Sequence, residues 1–142
     1  MNILDIKESD NNLDDYFVWE TIWNKDTLIN IIVENENDLD KPELEGFNVG
    51  KIIRPLRKKL DFIENNRSII EDVIMREEIE DFTADDLKTL YIDELLLMYF
   101  ADTGGCELGL YLMSETDCLD GGTLILSVKN DNTVTFDDFL GE

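Results

Sequence analysis

The sequence predicts an α+β fold in which helices pack on one sheet, and three observations carry that prediction. Two β-rich runs open the chain, isoleucine and leucine then recur at helical spacing, and alternating apolar runs return in the last third. Strands, then helices, then strands is the order expected when helices gather on one face of a mostly antiparallel sheet. At 142 residues and 43% apolar composition the chain is long enough and apolar enough to bury a core, so residues 1–142 are read as one domain.

Tyr16 to Trp23 (YFVWETIW) and Leu28 to Val33 (LINIIV) predict a hairpin, joined by the polar connection Asn24 to Thr27. Ahead of it, residues 1–12 read as a loose arm or weak strand. Asn35 to Glu45 is an acidic loop containing Pro42. From Ile52 the period changes: Ile52, Ile53, Leu56, Leu60 and Ile63 share one side of a helix, while Arg54, Arg57, Lys58, Asp61 and Glu64 face outward. Proline is accepted in a first helical turn, so Pro55 places the start near Gly50 or Lys51. After Asn65-Asn66, the run Ser68-Ile-Ile-Glu71 has the form of a capping box opening a second helix. Its stripe rotates from Ile69, Ile70, Val73 and Ile74 to Met75, Ile79 and Phe82, which predicts either burial on two sides or an early break. Thr83 to Asp86 caps a short third helix reaching Leu90. Leu95 to Phe100 (LLLMYF) fits strand or helix and is read as strand, because of its aromatics and the turn Asp102 to Gly105 that follows. Glu107 to Met113, Thr123 to Val128 and Thr133 to Phe136 complete an antiparallel meander, with loop Ser114 to Gly122 between the first two.

Charge dominates the composition, with 34 Asp and Glu against 12 Lys and Arg, no histidine, and a formal net charge of -22. Residues 1–50 carry 13 acids and 3 bases, whereas residues 51–67 carry 6 bases and 2 acids. Two acidic flanks thus enclose one basic helix. Such a balance repels phosphate backbones, excludes direct nucleic-acid binding as the expected function, and favours encounter with basic proteins. No run approaches the ~20 apolar residues of a membrane-spanning helix, and Met1 to Ile6 has no signal-peptide character, so a cytoplasmic location without membrane attachment is expected.

The same composition excludes much chemistry. Without histidine there is no Ser-His or Cys-His nucleophile, and neither a GxSxG elbow nor a phosphate loop occurs. Gly104-Gly105 and Gly121-Gly122 read as turns. Cys106 and Cys118 read as free thiols in a chain with no export signal, and two thiols cannot form a zinc site alone. The stretch Asp131 to Phe139 resembles half of a calcium loop, but that alignment puts Lys129 in the ion's shell, so it reads as a hairpin turn. No catalytic residue, cofactor or metal ligand is therefore expected.

What remains are partner-binding candidates. Loop Ser114 to Gly122 presents Glu115, Asp117 and Asp120 between two strands, where binding residues commonly sit. Asp137 and Asp138 form a carboxylate pair near the C-terminus. Phe17, Trp19, Thr21 and Trp23 share one side of the first strand by the period of two, and Trp19 or Trp23, if exposed beside carboxylates, would anchor an interface.

The two opening runs, the isoleucine-rich helices, Thr83-Ala-Asp-Asp-Leu87 and Leu110-Tyr-Leu-Met-Ser-Glu-Thr-Asp-Cys-Leu-Asp-Gly-Gly-Thr-Leu-Ile-Leu-Ser-Val128 together resemble small acidic bacterial domains of unknown function. Some of these are encoded beside polymorphic toxins and suspected to be immunity proteins. The resemblance covers most of the chain as shape and spacing. Relatives often carry histidine after the glycine pair, where this chain has Thr123, so no role of that histidine transfers.

The expected function is a noncatalytic acidic module binding a basic protein, most concretely an immunity protein for a basic toxin. The alternatives are a carboxylate-based divalent-metal enzyme or metal-binding protein, and a DNA-mimic inhibitor, which would align its acids along one elongated face.

Overall fold

The computed structural model describes residues 7–9, 12–38, 40, 42 and 50–141. Seven strands form one sheet in chain order: β1 (Lys7–Ser9), β2 (Asn12–Ile22), β3 (Lys25–Glu34), β4 (Leu90–Phe100), β5 (Cys106–Ser114), β6 (Thr123–Val128) and β7 (Val134–Leu140). Every neighbouring pair is antiparallel except β3 and β4, which run parallel with Leu28 opposite Glu94 and Glu34 opposite Phe100. A parallel pair cannot be closed by a hairpin, so the chain crosses over between them. The crossover carries helices α1 (Gly50–Asn65) and α2 (Arg67–Arg76) and the 3-10 helix Ala84–Thr89. The expected α+β architecture is what forms.

Burial alternates along the central strands, and one side is closed off completely. Ile29, Ile31, Leu95, Leu97, Leu108, Leu110, Leu112, Leu124 and Leu126 have no exposed surface, and they meet Ile52, Leu56, Ile63 and Ile70 from the helices. Burying a side chain of this size stabilises the fold by roughly 1.5–3 kcal/mol. The stripe read from the sequence for α1 is therefore its core side, although Ile53 is only partly buried. Thr27 lies fully inside, its hydroxyl donating to the Ile92 carbonyl at 3.3 Å. Glu20 is buried too, and receives the Arg57 guanidinium at 2.9 Å.

Several boundaries differ from the sequence reading for local physical reasons. The hairpin turn is Trp23-Asn24 rather than Asn24 to Thr27, because Ile22 pairs with Lys25 and both turn residues take positive φ, 52° and 64°. That is a two-residue turn whose twist matches the strands it joins. Trp23 thus leaves the strand and the side it was expected to share with Trp19. The second helix starts at Arg67, with Asn66 as its N-cap and no side-chain cap bond, so the Ser68 capping box does not form. Asn66 instead donates to the Phe62 carbonyl at 2.9 Å, while Arg67 pairs with Glu71 one turn on. Of the two readings of the rotating stripe, the early break is correct: α2 ends at Arg76, before Ile79 and Phe82. Thr83 and Asp86 do form a capping box, on a 3-10 helix. Pro55 stands sixth in α1, beyond the first turn, so the Lys51 carbonyl lacks a helical donor.

Leu95 to Phe100 is strand, and the strand begins earlier, at Leu90. The terminal strand runs on from Phe136 to Leu140. Within the N-terminal arm, Lys7–Ser9 pairs with β2, while residues 1–6, 10 and 11 lie outside the described residues. Residues 39, 41 and 43–45 of the acidic loop, and residues 46–49 after it, lie outside them as well. Both cysteines are free, Cys106 buried and Cys118 partly so. Among the described residues, no helix is long and apolar enough to cross a membrane.

Candidate functional site

Because α1 and α2 pack on one side, the other side of the sheet carries no helix among the described residues, yet its strands are apolar there too. The register places Trp19, Leu28, Glu94, Tyr111 and Ile125 in one row across five strands. Phe17, Asn30, Leu96, Gly109 and Ser127 form the next row, and Ile32, Met98 and Glu107 a third. Trp19 is 40% exposed and the rest are half-buried. An antiparallel sheet facing water on one side ordinarily alternates apolar and polar residues. Here the continuous runs LLLMYF and TLILSV put leucine, methionine and isoleucine on both sides. An apolar surface of this continuity is the kind that marks an interaction site.

The face is dented at Gly109. Lacking a side chain between Leu96 and Ser127, Gly109 forms the floor of a hollow of about 240 Å³, walled by Leu96, Met98, Tyr111 and Ile125. Its polar rim is Glu107, Ser127, Lys129 and Asp137. Glu107 faces Lys129 at 3.6 Å, whereas Asp137 is held by neutral donors, the Ser127 hydroxyl and the Thr135 hydroxyl at 3.1 Å. Asp137 therefore keeps an uncompensated negative charge at the rim. Three strands away on β4, Glu94 accepts a hydrogen bond from the Asn30 amide and adds a second carboxylate without a cationic partner among the described residues. Apolar walls below a carboxylate suit a long cationic side chain, whose methylenes cover the walls while its head reaches the acid.

The structure scatters the residues singled out from the sequence. Trp19 and Asp137 both belong to this face, but on β2 and β7, five strand spacings or about 24 Å apart. Trp23 is engaged inside the molecule: its indole N–H donates to the Ile63 carbonyl at 3.1 Å and its ring carries the Arg67 guanidinium at 4.3 Å. It anchors the end of α1 to the hairpin. Glu115, Asp117 and Asp120 lie at the end of the sheet, around the 3-10 turn Asp117–Leu119. Glu115 faces Lys25 at 3.7 Å, and Asp120 takes φ 51° to close the turn. Asp138 is exposed beside Asp137 and accepts from the backbone N–H of Phe139. Among the described residues, no three carboxylates or thiols converge as a metal site.

The residues that build the dent, Gly109, Leu96, Met98, Tyr111 and Ile125, were not singled out as site residues. Their signal was present as apolar runs lacking alternation, which sequence reasoning takes for strands buried on both sides. Lys59 was also missed. It sits among the outward bases of α1 in sequence but is 5% exposed, its ammonium capped by the Lys129 and Asn130 carbonyls and the Asn132 side-chain oxygen at 2.7, 3.1 and 2.6 Å. Burial pushes its pKa below the usual 10.5, and the nearby Asp131 and Glu107 carboxylates oppose that shift. Comparison with known proteins returns no matching family model, no matching curated protein and no matching solved structure.

Proposed function

We propose that this chain is a noncatalytic protein-binding module that holds a basic protein on its uncovered sheet face, in the manner of a bacterial immunity protein occluding a basic toxin in the cytoplasm. The observation that supports this most directly is the apolar face itself, dented at Gly109, with Asp137 at the rim of the dent and Glu94 within the face, on a chain of net charge -22. Charge of that size speeds encounter with a cationic partner by roughly 10–10³-fold at low salt. Affinity after encounter comes from the aromatic and aliphatic contacts, with Tyr111 and Trp19 as anchors. Direct nucleic-acid binding is disfavoured for the same electrostatic reason.

The test begins with the product of a neighbouring gene, if that product is basic. Co-purification should be strong at low salt and weaken steeply as salt rises, and Tyr111→Ala should weaken it by about 2 kcal/mol or more. Retention indifferent to both salt and Tyr111→Ala would remove this reading.

A further inference from the structure

Among the described residues Lys25, Arg57, Arg67 and Lys129 form ion pairs, whereas α1 carries two cations side by side in one cleft without such a partner. Arg54 and Lys58, one helical turn apart, have no ion-pair partner among the described residues, unlike Arg57 and Arg67. Both line a cleft of about 290 Å³ between α1, the β4–β5 turn and the β6–β7 turn. Lys59 closes the cleft from within as a third positive charge, its three protons already used on the β6–β7 turn. At Gly104, φ is 78° and no atom lies within 4 Å of where a Cβ would stand, so the wall is open there.

The far wall contributes two side-chain amides. The Asn130 side-chain oxygen accepts the Cys106 N–H at 3.0 Å, and the Asn132 side-chain oxygen accepts Lys59. With both oxygens occupied, the two amide NH₂ groups are the polar atoms left for a ligand. Two carboxylates stand nearby: Glu107 faces Lys129, and Asp131, which accepts the Thr133 N–H at 3.0 Å, keeps its charge and offsets that of Lys59, leaving Arg54 and Lys58 as the cations for a ligand. More distant acids are screened over roughly 8 Å at physiological ionic strength.

We propose that this cleft binds a small phosphate-bearing molecule, its oxyanion held between the Arg54 guanidinium and the Lys58 ammonium and against the Asn130 and Asn132 amides. Two cations and two amides exceed what a single carboxylate can use and match a phosphoryl group, with its nearly double negative charge and three acceptor oxygens. The volume is at the lower end of small-molecule sites, which selects a compact ligand rather than a polymer. The cleft is distinct from the dented face, and Lys129 joins the two, its carbonyl capping Lys59 while its side chain edges the dent.

Backbone amide NMR titrations with inorganic phosphate, pyrophosphate and citrate at constant ionic strength test it. Phosphate or pyrophosphate should move the amides of Gly104, Asn130 and Asn132 saturably, and the exposed double variant Arg54→Gln/Lys58→Gln should weaken binding about tenfold or more. Lys51→Gln, which removes an exposed α1 cation outside the cleft, should leave it unchanged. Saturation by citrate alone, equal loss in Lys51→Gln, or no saturable shift with any of the three would overturn the assignment.

Discussion

Gly109 lets the proposed binding face be separated from the fold. A Cβ added there would meet Leu96 and Tyr111 at 3.7 to 4.0 Å, ordinary contact distances, and no positive φ is required. Gly109→Ala should therefore put a methyl on the floor of the dent while leaving thermal stability unchanged or raised by about 0.5–1 kcal/mol, since glycine weakens a strand. Partner binding should fall all the same, and a variant that binds as tightly as the parent would show that the dent is not used. Glu20 supplies a contrasting test of stability. Its buried carboxylate depends on Arg57, so Arg57→Ala should cost about 1–3 kcal/mol in denaturant unfolding, and Glu20→Gln less, because an amide is cheaper to bury unpaired. The donor–acceptor logic of these sites was not legible in the sequence: Lys59 and Arg57 sit two positions apart in one basic run, yet one caps a distant turn and the other neutralises a distant acid.

At the scale of elements, helix and strand identity were readable, and junctions were not. The α1 stripe Ile52, Leu56, Leu60 and Ile63 needs only a period of 3.6, and it is the side that is buried. The position of the first turn depended on backbone twist that no periodicity encodes. Asn24 holds φ 64° there, a conformation asparagine and glycine tolerate and alanine does not. Asn24→Ala should destabilise by about 1 kcal/mol and Asn24→Gly by little, as read from unfolding midpoints; equal losses would mean that the Asn24 side chain, not its backbone, matters. The crossover is tied down in a similar way. Asp102, in the β4–β5 turn, accepts the N–H groups of Glu36 and Asn37 at 2.8 and 2.9 Å, fastening the chain as it leaves β3. Those donors hold its carboxyl below the usual carboxylate range.

Over the whole molecule, the -22 charge opposes compactness while the loop carboxylates support it. Added salt screens that repulsion, so the melting temperature should rise with ionic strength. Asp102 and Asp131 have folded pKa values depressed below 3.8 by hydrogen bonds from backbone and side-chain donors. Their stabilisation is present above 3.8 and is lost as pH falls through the lower folded values. The melting temperature should therefore fall as the pH drops below about 3.8. Circular dichroism melts across pH decide this, and a melting temperature that holds steady below that pH would contradict it.

By itself, the sequence determined the α+β class, the periodic elements and the acidic charge of the chain, because periodicity and charge are properties of residues taken in order. The tertiary structure alone decided that β3 and β4 lie parallel at the centre of the sheet, with both helices on one side. That single topological fact leaves the second apolar side of LLLMYF and TLILSV uncovered, with Gly109 as its hollow. It also folds the basic helix against a turn rich in asparagine, so that a charge run expected to face solvent becomes a donor-lined cleft. Strand order and helix placement depend on how apolar sides are shared between elements distant in sequence, and no local pattern carries that information.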